Sequence, residues 1–181
     1  LGSNEILISK DKILAIVDGS GVLYDPQGIN RKELTRLARA RKMVEHFNRE
    51  LLSPQGCMVH INDRNITLPD GEKVENGLDF RNNFHLHPKF RADIFVPCGG
   101  RPASVNINNW KAWIDEDGKP RFKAVIEGAN LFLTQDARLR LEEKGVIIYK
   151  DASANKGGVT SSSLEVLSSL VMTDKEWDDL M

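Results

Sequence analysis

The chain has 181 residues, a length that predicts one domain with room for a buried core. Its 25 Lys and Arg nearly balance its 26 Asp and Glu, and the net charge of −1 provides no basic surface that would favour nucleic acid or an anionic membrane. No apolar run approaches the roughly 20 residues that a membrane helix needs, and no signal peptide is recognisable. The 2 cysteines form no CxxC pair, which favours reduced thiols. We therefore expect a cytoplasmic protein that binds neither nucleic acid nor membrane.

Both ends of the sequence suggest a piece of a longer polypeptide. The chain starts at Leu1 without an initiator Met and enters a predicted helix over 3–10 at once. Near the other end, Thr173 and Glu176 have the spacing of a capping box, yet few residues follow them. A helix capped there has no room to form, so we expect a truncated domain.

Short apolar runs that alternate with helical patterns predict an α/β fold with a parallel sheet. Asn30 and Thr134 are predicted helix caps, and Ser162 with Glu165 is a predicted capping box before the last helix. The predicted buried strands are 12–17, 92–96, 122–126 and 146–149, and the first two of these helices are predicted over 31–50 and 135–144.

Residues 53–79 break this rhythm. Cys57–Ile61 is a predicted strand, and 66–74 has the pattern of a strand, a turn at Pro69–Gly71 and a second strand. We interpret the segment as a small β-hairpin insertion in the α/β domain.

Each of the four predicted strands ends in small or polar residues. In a parallel sheet these ends share one edge, which is where open α/β sheets bind their ligands. Four such loops predict a ligand site more strongly than any one of them does. The loops are Asp18-Gly19, Cys98-Gly99-Gly100, Gly128-Ala129-Asn130 and Asn155-Lys156-Gly157-Gly158.

Asp18 is a candidate for the acidic residue that accepts hydrogen bonds from the adenosine ribose at the end of the second strand of a dinucleotide fold. A simple turn before Gly19 explains it equally well. A carboxylate there would repel a 2′-phosphate, so the first interpretation favours NAD over NADP. Gly2 could be the last glycine of a G-x-G-x-x-G fingerprint whose other glycines lie upstream.

Three further loops offer ligand chemistry, each with a structural alternative. Gly99, Gly100 and Arg101 combine close backbone approach with a cation, which suits a pyrophosphate or a carboxylate, although a turn with a surface arginine is the alternative. Asn130 and Asn155 each end a strand with an amide that can donate and accept, as recognition of a carboxamide requires. A single asparagine there would more simply be a turn residue, but two at equivalent strand ends favour a ligand.

Ser162 is the predicted cap of the last helix, but at a helix start it could also hold a carboxylate against free N–H groups. The 4 histidines show no metal-ligand spacing with cysteine or carboxylate, so we predict no metal site.

Several of these stretches together resemble a known family. Ala154–Glu165, with Ile126–Asn130 before it, resembles the amino-acid dehydrogenase superfamily that acts on glutamate, leucine, phenylalanine and valine. Ile94–Pro102, Lys150–Asn155 and Leu1–Ile6 are more similar still to the large NAD-specific glutamate dehydrogenases.

The resemblance implies a Rossmann-like, doubly wound and mainly parallel coenzyme domain that binds NAD and lacks its first strand. Gly2 and Asp18 fall on the last fingerprint glycine and the ribose partner of this family, and Asn130 and Asn155 on asparagines near the nicotinamide and its ribose. The substrate-pocket positions for the side-chain carboxylate of glutamate correspond to Val159 and Ser162.

Two features depart from the smaller family members, which have Ala in place of Lys156 and lack the Gly99–Arg101 loop. The catalytic Lys and Asp of the family belong to an N-terminal substrate domain that is absent here, so no catalytic residue is assigned. The resemblance implies the coenzyme-binding part of an NAD-dependent glutamate dehydrogenase, inactive alone, which with the rest of the enzyme converts L-glutamate to 2-oxoglutarate as a homo-oligomer. Another amino-acid dehydrogenase of the superfamily, or a non-catalytic regulatory nucleotide-binding module, remains an alternative.

Overall fold

The computed structural model describes residues 6–173 and 175–176. The chain divides into two compact units, Leu1–Ala92 and Asp93–Met181. The strands are β1 (Ala15–Val17), β2 (Gly21–Tyr24), β3 (Cys57–His60), β4 (Arg64–Thr67), β5 (Lys73–Asn76), β6 (Ala92–Phe95), β7 (Phe122–Ile126) and β8 (Ile147–Tyr149). The helices are α1 (Arg31–Ala40), α2 (Gly77–Asn83), α3 (Gln135–Glu142), α4 (Asp151–Ala154) and α5 (Gly157–Val171), with 3₁₀ turns at Val44–His46, Arg49–Leu51, Phe84–Leu86 and Trp110–Trp113.

The first unit contains an antiparallel sheet with the order β1-β2-β3. The prediction of a buried parallel strand over 12–17 is therefore wrong. The N–H of Asp18 donates to the carbonyl of Gly21 at 3.1 Å, so the chain reverses at once into β2 instead of crossing over through a helix. Val17 is 43% exposed, which is inconsistent with a strand covered on both faces.

Helix α1 begins where the sequence predicts, because the side chain of Asn30 accepts the N–H of Glu33 at 3.1 Å. It ends ten residues earlier than predicted, at Ala40, because Arg41 adopts a left-handed conformation with φ 51°. Leu34 and Leu37 of α1 lie in one core cluster with Leu23 and Met58 of the sheet, and Ala38 is buried as predicted.

A second core lies between β3, the β4–β5 hairpin and α2, around Cys57, Val59, Leu68 and Val74. The hairpin matches the predicted strand-turn-strand, and its register pairs Ile66 with Val74.

The ammonium of Lys89 forms ion pairs with Asp70 and Glu72 and so fastens the hairpin to the segment that follows α2. Lys89 is also the main cause that lowers the pKa of the Asp70 carboxyl.

The second unit contains the sheet β6-β7-β8, in which β7 and β8 are parallel and Val125 pairs with Ile148. The α/β prediction is confirmed here, and the parallel arrangement holds for this sheet but not for the first. Trp113, Phe122, Val125 and Leu141 are among its fully buried side chains. Strands β6 and β8 were predicted to be buried, yet Ile94 of β6 is 50% exposed and Ile147 of β8 is 60% exposed.

Thr134 caps α3 as predicted, and Gly145 follows the helix with φ 87°. The predicted start of the last helix is wrong. Helix α5 begins at Gly157, so Ser162 lies inside it and is not a cap. The reciprocal capping box of Thr173 and Glu176 is confirmed, since each side chain accepts the backbone N–H of the other residue.

Candidate functional site

The loops that follow the three strands of the second unit touch one another. The N–H of Ala129, after β7, donates to the carbonyl of Pro97, after β6, at 2.7 Å. A Cβ on Gly128 would lie 3.3 Å from the same carbonyl, so a glycine allows the close approach. The carboxyl ends of these strands therefore form one edge, as predicted for three of the four loops. The prediction is wrong for the fourth loop, Asp18-Gly19, because it follows a strand of the separate antiparallel sheet.

Asn130 and Asn155, which follow β7 and β8, lie in direct contact. The side-chain amide nitrogen of Asn155 donates to the carbonyl of Gly128 at 3.2 Å and to the side-chain oxygen of Asn130. Within the described part of the chain, the amide nitrogen of Asn130 and the amide oxygen of Asn155 have no hydrogen-bond partner. The pair thus leaves one donor and one acceptor side by side.

Glu127 is the first residue after β7 and is fully buried. Its two carboxylate oxygens accept different backbone N–H groups, that of Leu133 at 2.7 Å and that of Asp151 at 3.1 Å. One carboxylate therefore joins the loop after β7 to the start of the loop after β8. A buried polar side chain needs hydrogen-bond partners in place of the water it loses, and these two N–H groups provide them.

Asp151 reaches back in the opposite direction. Its carboxylate accepts the N–H of Leu131 at 2.9 Å and the N–H of Ala152 at 2.7 Å. The hydrogen bond from Leu131 is the main cause that lowers the pKa of Asp151, and burial opposes it. Asp151 also opens the short helix α4, and its carbonyl accepts the N–H of Asn155 at 2.9 Å.

The loop after β6 contains the predicted residues Gly99, Gly100 and Arg101. Gly100 has φ 132°, and a Cβ there would lie 3.0 Å from the ring of Phe132, so this position requires glycine. A Cβ on Gly99 would meet nothing within 4 Å, and both Gly99 and Arg101 are exposed. A ligand can therefore approach the backbone of this loop closely.

Asp18 lies in the first unit, in the turn between β1 and β2. One of its carboxylate oxygens accepts the N–H and the hydroxyl of Ser20 at 2.8 and 2.7 Å. The other oxygen accepts the N–H of Val44 at 2.8 Å. Asp18 therefore fixes its own turn and the segment after α1, as the simpler interpretation expects.

Val159 and Ser162 lie three residues apart on one face of α5, and both are exposed. The predicted role of Ser162 as a cap is excluded by its place inside the helix, while its predicted contact with substrate stays a prediction. Gly2 lies outside the described residues.

No cluster of three or more potential metal ligands occurs among the described residues. The same residues contain no helix with the length and apolarity needed to cross a bilayer. Cys57 is buried, and burial raises the pKa of its thiol to about 11.

Sequence reasoning assigned no role to Glu127 or Asp151, although Glu127 directly follows an apolar strand and Asp151 lies two residues after one. A carboxylate at the end of a buried strand was the available signal, and the same signal drew attention to Asp18. What the sequence does not carry is the partner of each carboxylate, which lies 20 or 24 residues away for the bonds between these loops.

An α/β unit with ligand-type loops at the carboxyl edge of its sheet is an arrangement in which open α/β folds bind their ligands. The profile of the Glutamate/Leucine/Phenylalanine/Valine dehydrogenase family matches residues 1–181, and the chain belongs to this family.

Among its relatives, "Glutamate dehydrogenase 2" of Dictyostelium discoideum is 61% identical over 178 residues, which are 98% of this chain and 17% of the relative. The "NAD-specific glutamate dehydrogenase" of Neurospora crassa is 59% identical over 175 residues, which are 97% of this chain and 17% of the relative. The chain thus spans about a sixth of the length of these curated relatives.

A crystal structure of glutamate dehydrogenase from Plasmodium falciparum has a similar fold. The TM-score is 0.55 at 20% sequence identity, and the match covers 98% of this chain and 33% of that one. At this identity the likeness supports the fold alone.

Proposed function

We propose that this chain is the coenzyme-binding part of an NAD-dependent glutamate dehydrogenase. The complete enzyme would convert L-glutamate, NAD and water into 2-oxoglutarate, ammonia and NADH. Family membership and the relatives named as NAD-specific glutamate dehydrogenases support this proposal. No catalytic residue is assigned to this chain, so proton transfer belongs to the remainder of the polypeptide.

The observation that carries the proposal is the pair of asparagines at the sheet edge. The amide oxygen of Asn155 can accept from the NH₂ of a carboxamide, and the amide nitrogen of Asn130 can donate to its carbonyl. Nicotinamide has both groups, so the residues present fit this ring. When bound, NAD supplies the hydride acceptor, while this chain orients the ring and excludes water from it.

The other half of NAD requires an acceptor for ribose hydroxyls and donors for pyrophosphate. Asp18 uses three hydrogen bonds in its turn, and a carboxylate has about four acceptor positions. One position is therefore left for a ribose hydroxyl, and the negative charge disfavours the 2′-phosphate of NADP. Gly99, Gly100 and Arg101 are the proposed contacts of the pyrophosphate, together with Gly2.

Val159 and Ser162 are the proposed contacts of the glutamate side chain. Both side chains are exposed on α5, so they are available to line a substrate pocket whose other residues belong to the rest of the polypeptide. Homo-oligomerisation of the complete enzyme is a further part of the proposal.

The test is calorimetric titration of NADH and of ADP-ribose, which lacks the nicotinamide, into the complete polypeptide. Replacing Asn155 or Asn130 with alanine should weaken NADH binding about tenfold, since about 1.4 kcal/mol corresponds to a factor of ten. ADP-ribose affinity should stay within about twofold. Asn108→Ala, at an exposed position of the same unit, is the control. Unchanged NADH affinity in both site variants would contradict the proposal.

Asp18→Ala should weaken NADH and ADP-ribose alike, because both contain the adenosine ribose. Ser20→Ala is the matched control, since it removes one contact of the turn but keeps the carboxylate. Equal losses in the two variants would show that Asp18 acts through its turn alone.

Two alternatives are separated by turnover. Another amino-acid dehydrogenase would reduce NAD with L-leucine, L-valine or L-phenylalanine in preference to L-glutamate. A regulatory module would bind NADH without any substrate-dependent reduction of NAD. Residues 1–181 alone are expected to produce no NADH from glutamate.

A further inference from the structure

Glu127 and Asp151 together form two crossed connections between the loops after β7 and β8. The carboxylate of Glu127 binds the N–H of Asp151, and the carboxylate of Asp151 binds the N–H of Leu131. Each acid therefore uses its side chain to hold the backbone of the other loop. The residues that these bonds fix are Leu131, which directly follows Asn130, and Asp151, which starts the turn that ends at Asn155.

The backbone beside Asn130 has a conformation that needs such support. Leu131 has φ 57°, a left-handed conformation that costs a residue with a Cβ about 1–2 kcal/mol. Its N–H is held by Asp151, and its carbonyl accepts the N–H of Ala103 at 2.8 Å. Strained residues persist where their surroundings determine them fully, and they are concentrated at ligand sites.

On the β8 side the same network sets Asn155. The N–H of Asp151 is fixed by Glu127, and the carbonyl of Asp151 accepts the N–H of Asn155 at 2.9 Å. The side chain of Asn155 then reaches the carbonyl of Gly128, the residue that follows Glu127. Glu127 is therefore connected to Asn155 in two ways, through its hydrogen bond to Asp151 and through its neighbour Gly128.

We propose that Glu127 and Asp151 are positioning residues that hold Asn130 and Asn155 at the separation required to bind the nicotinamide carboxamide. This inference rests on the function proposed above and deepens it. Neither acid is a proposed contact of the coenzyme, because Glu127 is fully buried, Asp151 is 8% exposed, and their oxygens accept backbone N–H groups of the two loops. Their effect is to keep one amide donor and one amide acceptor in a fixed orientation.

Glu127→Gln is the most informative variant. The glutamine keeps the volume of the side chain and one acceptor, but its NH₂ opposes a backbone N–H at the other position. The loops can then no longer be held by both bonds at once. In the complete polypeptide we expect NADH affinity to fall about tenfold while ADP-ribose affinity changes by less than about twofold.

Two controls separate positioning from a general loss of stability. Leu141→Ala opens a cavity beneath the same sheet at a fully buried residue outside these loops, and it should lower the melting temperature without changing the ratio of NADH to ADP-ribose affinity. Glu143→Gln makes the same chemical change at an exposed position of the same unit and should alter neither property.

The outcomes for the inference and for the proposed function differ. If Asn155→Ala loses NADH affinity selectively and Glu127→Gln does not, the inference is overturned and the proposed function stands. If neither asparagine variant affects NADH binding, the proposed function fails first. If Glu127→Gln does not fold, Asp151→Asn carries the test with the same expected selectivity, and wild-type NADH affinity in that variant overturns the inference.

Discussion

The two units use carboxylates at the ends of their strands in different ways. In the first unit, Asp18 and Asp25 lie before and after β2 and hold the long connection between α1 and β3. Asp18 binds the N–H of Val44, and Asp25 binds the N–H of Ser53 at 2.7 Å. In the second unit, Glu127 and Asp151 hold two loops against each other and leave a pair of amides beside them.

A strand-end side chain can either fix the backbone of its loop or bind a ligand, and at Asp18 both roles fall on one carboxylate. A carboxylate that fixes a turn has few acceptor positions left for a ligand, so the ribose contact proposed for Asp18 must share its oxygens with the fold. In the second unit the carboxylates fix the backbone and the asparagines remain available. Parallel strands make this division possible, because crossovers bring loops from distant parts of the chain to one edge.

The largest expected effect is at Gly21 in the antiparallel sheet. A Cβ there would lie 2.1 Å from the carbonyl oxygen of Val59 on the neighbouring strand, so Gly21→Ala must displace backbone. We expect the free energy of unfolding to fall by about 3 kcal/mol in urea denaturation, at the upper end of overpacking costs.

Gly158→Ala is the matched control for this prediction. A Cβ at Gly158 would meet nothing within 4 Å, and this residue lies in helix α5. Alanine should therefore stabilise the helix by up to about 1 kcal/mol. Similar losses in both variants would remove the contrast between the close backbone packing at Gly21 in the first sheet and the open space around Gly158 in helix α5.

A smaller effect is expected at Asp151. Asp151→Asn leaves one of two N–H groups opposite an amide nitrogen, and hydrogen bonds to charged groups contribute about 1.5–3 kcal/mol each. We expect a loss of about 2 kcal/mol at neutral pH.

The pH dependence of this loss follows from the lowered pKa of Asp151. A lowered pKa in the folded state adds stability above the ordinary pKa of the unfolded aspartate, and this stability disappears as the pH falls through the folded value. The difference between wild type and Asp151→Asn should therefore shrink in acid. Asp93→Asn removes an exposed ion pair with Lys123 and should change stability little at any pH. A loss at Asp151 that is independent of pH would contradict the argument.

The smallest effect is expected at Leu131. Leu131→Gly relieves a left-handed backbone but adds freedom to the unfolded chain, and the two terms oppose each other. We expect a net gain of about 0.5 kcal/mol in the free energy of unfolding. Leu139→Gly, inside helix α3, should instead cost about 1 kcal/mol. A marked loss in Leu131→Gly would show that the side chain, not the backbone, matters at this position.

The sequence predicted the second unit better than the first. Asn130 and Asn155 were expected at one sheet edge because parallel strands place their ends together, and the two side chains do meet. The strand over 12–17 was assigned from apolar content, which does not distinguish parallel from antiparallel pairing. The pairing is antiparallel because the chain makes a tight turn at Asp18–Gly21, which is closed by the hydrogen bond from the N–H of Asp18 to the carbonyl of Gly21.

Local patterns also misplaced two helices. The spacing of Ser162 and Glu165 matches a capping box, but serine is equally satisfied inside a helix when its hydroxyl bonds a preceding carbonyl. Ser163 does this with the carbonyl of Val159 at 2.8 Å. The end of α1 depends on tertiary contacts, because Glu33 binds the N–H of Asn48 at 3.1 Å and thereby folds the predicted helical extension back.

The two cysteines differ in exposure, so a reporter group can be attached to one of them selectively. Cys57 is buried and the pKa of its thiol is raised to about 11, so little thiolate exists there at neutral pH. Cys98 is exposed, and its Cα is 3.6 Å from the position of a Cβ on Gly128, in the loop that carries Asn130. A thiol-directed fluorophore should therefore label Cys98 selectively and place its signal where the loops after β6 and β7 meet.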